Sequence, residues 1–218
     1  ANLQMPDLRC FSVGNRFYLM SKTFQNHKSS ELVYNEAKKV ISVIAGIAAI
    51  NLNLWPSSVL QIVSVVELDD EMKVVKHHAY AVSDFTVQVR DALNSEDNVL
   101  NDLEKWVNLA SVSGAVAKVF RLLRFGIDDY VNSYRVYEII NHDMGKNLRC
   151  LGVTDRESRR FTATANHPAL SGDESRHGFI GGDPPKGEPM SPGDIERFIY
   201  RMVNRWIHHK LSMGILDE

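Results

Sequence analysis

Arg160 and His167 stand with six residues between them, Thr164 among these. On a helix that spacing puts the two on nearly the same face, two turns apart. Arginine keeps its charge at every working pH, whereas histidine exchanges a proton near neutrality, so the pair suits a phosphodiester. The guanidinium would neutralise phosphate charge while the imidazole donates or accepts a proton. A helix C-terminus favours the imidazolium, which would bias His167 toward the acid role. Asn166 adds an amide beside the histidine, and Asp173-Glu174-Ser175-Arg176-His177 repeats the same chemistry in the following stretch. Structural roles are open to the same side chains. Arg160 can be a solvated helix residue, His167 a cap or packing group, and Arg176 with His177 can be held by Asp173 and Glu174 in an ion-pair network.

The helices that must position these groups have their ends written in the sequence. Thr154-Asp155-Arg156-Glu157 is a capping-box signature, which predicts a helix from there toward His167, where Pro168 disfavours continuation. Ser191-Pro192-Gly193-Asp194 supplies an N-cap serine, a first-turn proline and a carboxylate at the third helical position. The apolar residues from Ile195 to Ile207 then follow a 3–4 spacing, which predicts an amphipathic packing helix. Between these two helices, residues 178–190 are rich in glycine and proline and read as irregular connection. Asp128-Asp129 opens another helix that runs to Gly145, and helical patterns also cover Ser95 to Val107 and Ala115 to Phe125.

The first ninety residues have a different character. Residues 8–24 read as a strand pair about Gly14-Asn15, Ser30 to about Asn53 as a helix closed by Pro56, and residues 59–90 as further strands around the polar turn Leu68-Asp69-Asp70-Glu71. The expected fold class is therefore α+β: an N-terminal antiparallel sheet with one long helix, packed on a C-terminal helical bundle. The expected subdomains are 1–92 and 93–218.

Composition limits the function. The 218 residues are 44% hydrophobic and 24% charged, with a formal net charge of −2, so neither a polybasic membrane binder nor a generic nucleic-acid coat is expected, although local basic patches remain open. The two cysteines, Cys10 and Cys150, form no metal or redox motif, which points to a reducing, cytoplasmic setting. The apolar run Val40 to Trp55 is shorter than the roughly 20 residues of a spanning helix and reads as a core helix, so no membrane partner is expected. Asp69-Asp70-Glu71-Met72-Lys73 reads as a hairpin turn rather than a nuclease motif. His77-His78 and His208-His209 lack the spacing of metal ligands, and Gly181 to Gly187 lacks the GK[ST] of a phosphate loop. No metal and no cofactor is expected.

Taken together, residues 128–210 resemble the helical HEPN domains (higher eukaryotes and prokaryotes nucleotide-binding). The resemblance rests on a helix reading NSYRVYEIINHD, a helix ending in an Arg-x6-His spacing, a polar segment with SRHG and a closing amphipathic helix. The family is a bundle of four or five helices whose motif is an arginine followed after four to six residues by a histidine. It usually places asparagine or aspartate directly after the arginine, where this chain has Phe161. The resemblance implies RNA as a partner, a homodimer, and one of two functions. One is a non-catalytic interaction or RNA-binding module. The other is a metal-independent endoribonuclease in which Arg160 binds phosphate, His167 acts as acid or base during 2′-hydroxyl attack, and Asn166, Arg176 and His177 contact substrate.

Overall fold

A computed structural model describes residues 8–13, 16–51, 61–69, 71, 73–80, 105–127, 129–180 and 187–214. The chain divides into two compact units, Ala1–Arg121 and Leu122–Glu218. The boundary expected between residues 92 and 93 lies outside the described residues, as do the strand at 85–89, the helix start at Ser95 and the helix end beyond Asn51. The fold is α+β with a helical C-terminal part, as its sequence implies.

Among the described residues, the first unit carries two separate two-stranded antiparallel sheets where a single sheet was expected. Strands β1 (Arg9–Val13) and β2 (Arg16–Met20) form the first, with Phe11 opposite Tyr18 and their rings stacked at 5.4 Å. The expected strand character through residue 24 stops short. The Ser21 hydroxyl accepts the Thr23 amide proton and caps a short helix, α1 (Lys22–Gln25). Helix α2 (Ser30–Asn51) follows, and Val40, Val43, Ala45, Ile47 and Ala49 are buried along its second half. Strands β3 (Ser64–Leu68) and β4 (Val74–Ala79) form the second hairpin. Asp69 makes its turn: one carboxylate oxygen accepts the amide protons of Glu71 and Lys73, at 3.0 and 2.8 Å. Tyr80, just beyond β4, stacks on Tyr34 of α2 with centroids 3.9 Å apart.

Helices α3 (Lys105–Val112) and α4 (Gly114–Leu123) meet at a 119° bend on Ser113, and Trp106 stacks on Phe120 across it. Gly46 of α2 lies against the backbone of Phe120, so close that a Cβ there would overlap the Phe120 carbonyl. Only glycine permits that approach.

The second unit is a helical bundle of α5 (Tyr130–Asp143), α6 (Asp155–Asn166), α7 (Pro168–Ser171) and α8 (Pro192–Ser212), with 3-10 turns at Leu148–Leu151 and Gly172–Glu174. Both capping boxes form as their sequences predict, Thr154 with Glu157 and Ser191 with Asp194. Asp129 caps α5, and Gly145 follows that helix in the left-handed region at φ 57°. The core is an aromatic cluster. Phe161 is fully buried among Tyr134, Tyr137 and Phe198, at centroid distances of 6.2, 5.1 and 5.1 Å. At the far end of α8, the Trp206 indole N–H and the Lys210 ammonium both donate to the Asp143 carboxylate at 2.8 Å. Among the described residues, no single helix is long and apolar enough to cross a membrane.

Candidate functional site

Helix α6 ends at His167, as its sequence predicts, but the chain does not become a loop there. His167 is at once the C-cap of α6 and the N-cap of α7, and Pro168 is the first residue of the new helix. Proline is favoured at that position, because the amide it lacks would have had no helical partner. The Ala169 amide donates to Nδ1 of His167 at 3.2 Å, so Nδ1 carries a lone pair and the neutral ring holds its proton on Nε2. His167 is buried, and among the described residues its Nε2 meets no hydrogen-bond partner. The Oδ1 atom of neighbouring Asn166 is enclosed in the same way.

Arg160 lies exposed on the same helix, and its guanidinium is turned toward the chain that enters α8. Nε donates to the Glu188 carbonyl and Nη2 to the Pro189 carbonyl, both at 2.9 Å. One turn on, the Thr164 hydroxyl continues the same contact. It accepts from the Met190 amide and donates to the Arg160 carbonyl, each at 2.9 Å. Arg160 and Thr164 therefore clasp residues 188–190 against α6.

The second cluster reaches the first through the backbone. The Arg176 amide donates to the Ala165 carbonyl at 2.8 Å, and the Ser171 hydroxyl donates to the Thr164 carbonyl at 2.7 Å. The side chains then diverge. The Arg176 guanidinium lies 4.2 Å over the Tyr134 ring and pairs with Glu138 at 3.4 Å, so its partners come from α5 and not from Asp173 or Glu174. The exposed His177 contributes its carbonyl, which accepts from the Ser175 hydroxyl at 2.5 Å. Of the five residues singled out by type, Arg160 and Arg176 are thus turned to different neighbours, and His167 is turned inward.

The residues that local spacing did not pick out are arginines of another face. Arg197, Arg201 and Arg205 recur every fourth residue along α8. Arg201 pairs with Glu157 in the first turn of α6, and Arg205 donates to the Leu151 carbonyl at 3.0 Å. Gly152 sits beneath Arg205 with φ at 66°, where a Cβ would collide with the guanidinium. Arg156 and Arg159 of α6 and Arg149 of the preceding turn are exposed nearby in sequence, and Arg149 pairs with Asp155. The four-residue recurrence on α8 was the available signal, overshadowed by the apolar stripe of the same helix. Hydrogen bonds hold the carboxylates of this region below the ordinary range. The Thr154 backbone N–H is the main cause for Glu157, the Ser191 side chain for Asp194 and the Arg149 guanidinium for Asp155.

Two shallow hollows mark the unit. One of about 350 Å³ is lined by Arg149, Gly152, Val153, Thr154 and Asp155. The other, of about 330 Å³, is acidic and is lined by Asp129, Val131, Asp173, Glu174 and Ser175. Near the second, burial and then the Glu174 charge push the Tyr130 hydroxyl above its ordinary pKa. Among the described residues, no group of three or more His, Cys, Asp or Glu side chains could hold a metal ion.

The fold and the site define an α+β chain whose second unit is a capped helical bundle with one arginine-bearing flank. No protein-family model matches the chain, and neither does a curated protein or a solved structure.

Proposed function

We propose that the unit Leu122–Glu218 is a non-catalytic binding module of HEPN-like type, with RNA as its ligand and a homo-oligomer as its working form. One observation carries the non-catalytic part: the two groups that a cleavage site would need are committed to holding the chain. Two donors of Arg160 are bonded to the carbonyls of Glu188 and Pro189, and Nδ1 of His167 caps α7. The first pair fixes the Arg160 guanidinium on the chain entering α8 and leaves a phosphate only its remaining donors, and proton exchange at Nδ1 would break the second.

A metal-independent endoribonuclease is the second reading, favoured by the His167 Nε2 proton that has no acceptor. Incubation of mixed RNA with the protein in EDTA separates the two. The module reading expects intact RNA, with RNA retained on the protein in a binding assay. Cleavage that disappears in both Arg160→Lys and His167→Asn would overturn it. Asparagine is a good helix N-cap, so His167→Asn removes the proton carrier while keeping α7 capped. Thermal melting of the variant reports whether the fold has survived.

A further inference from the structure

The RNA reading does not say which surface meets the ligand, and the Arg160 to His177 cluster leaves little for it to grip. The flank formed by the Leu148–Leu151 turn, α6 and α8 offers much more. It carries Arg149, Arg156, Arg159, Arg197, Arg201 and Arg205, all exposed. Two bonds make it one surface: Arg201 to Glu157 ties α8 to the first turn of α6, and Arg205 to the Leu151 carbonyl ties α8 to the turn before it. Carboxylates are present, but each is engaged: Asp155 with Arg149, Glu157 with Arg201 and its own cap, and Asp194 with Arg197 and its own cap. Glu196 lies about 140° round α8 from Arg201. A guanidinium has five donors, so an arginine spending one or two on a carboxylate keeps others for a phosphate oxygen. Arg149 and Arg197 leave about three quarters of their side-chain surface in solvent, 74% and 75%.

What the flank lacks defines the mode of contact. The large apolar side chains that are exposed among the described residues include Phe17, Phe125 and Phe179, and none lies on α6 or within α8. With no exposed Phe or Trp ring on these elements, the grip of the flank comes from its guanidinium groups, and phosphate contacts carry no sequence information of their own. Resting on the RNA reading above, we infer that this arginine flank binds the RNA phosphate backbone without regard to base sequence.

Fluorescence anisotropy of the full chain with labelled single-stranded RNAs of about 20 nucleotides tests this. If about four phosphates are engaged, affinity falls about 50-fold between about 50 and about 200 mM salt, and two RNAs of unrelated sequence bind within about 2-fold of each other. Replacing Arg156, Arg159 and Arg197 together by glutamine weakens binding at least about tenfold at the lower salt. It also reduces the slope of log affinity against log salt by about 2, while Arg135→Gln on α5 changes neither. Circular dichroism melting checks that the triple variant is folded. RNA binding that survives the triple change unaltered, or that prefers one sequence, overturns the flank and leaves the RNA reading standing. Polyglutamate that displaces RNA at equal charge overturns the flank in favour of an acidic protein surface. Failure of the unaltered chain to bind either RNA overturns the RNA reading itself.

Discussion

Thr164 looks, by type and place, like a helper for a catalytic pair, and its surroundings make it a joint. It is fully buried, its hydroxyl donates to the Arg160 carbonyl, and it accepts the Met190 amide. Thr164→Val keeps the volume and strands the Met190 amide, which should destabilise the unit by about 1–3 kcal/mol in urea titration, whereas Thr164→Ser should recover most of that loss. An unchanged midpoint in the valine variant would show that the amide finds another partner. The residue types of the candidate site were legible because phosphate and proton chemistry admit few side chains. Their directions were not. Arg160 bonds to carbonyls 28 and 29 residues away, and no local pattern encodes which carbonyls a later segment will present. Phe161 makes the same point from the other side. Directly after Arg160 in the chain, it points the other way and sits at the centre of the aromatic core.

At the scale of elements, helix ends were the most legible features, because a cap is a contact between residues two or three apart. Thr154, Ser191 and Asp129 all cap where their sequences place them. Pro168 stops α6 and also starts α7, a double role that proline can play because its missing amide costs nothing in a first turn. The strand pair about Gly14-Asn15 and the turn at Asp69 were legible locally, whereas whether two strand pairs join in one sheet depends on long-range neighbours.

The α6 cap also sets a pH dependence. The Glu157 carboxyl is held below its ordinary pKa, first by the Thr154 backbone N–H, then by the Arg201 guanidinium and the Thr154 hydroxyl, with burial opposing them. A depressed folded-state pKa contributes stability that is present above the unfolded value, about 4.3, and is lost as the pH falls through the folded value. Glu157→Gln should therefore melt roughly 2–4 °C below wild type at pH 7, and the difference should shrink as the pH is lowered below about 4. An equal gap at both pH values would refute the charge-based account. Gly46 governs the other unit. Gly46→Ala would ordinarily favour a helix, yet here its methyl must force α2 away from the Phe120 backbone, and a loss of about 3 kcal/mol is expected from chemical denaturation.

For the whole molecule, a formal net charge of −2 conceals a strongly uneven distribution, because the second unit has an arginine flank and, elsewhere, the hollow bordered by Asp129, Asp173 and Glu174. A balanced bulk composition argues against an indiscriminate nucleic-acid coat and is silent about a local surface. The clasp of Arg160 and Thr164 on residues 188–190 has a further consequence. Helix α8 buries Ile195, Phe198, Ile199, Met202, Val203, Trp206 and Ile207, and the clasp secures the chain just before it. The covalent link between Ile180 and Gly187 is therefore not what keeps α8 in place. A chain carrying a protease site there and cut after folding should elute as one species, separable into two fragments only in denaturant, so that the unit would behave as a split protein able to reassemble from its parts.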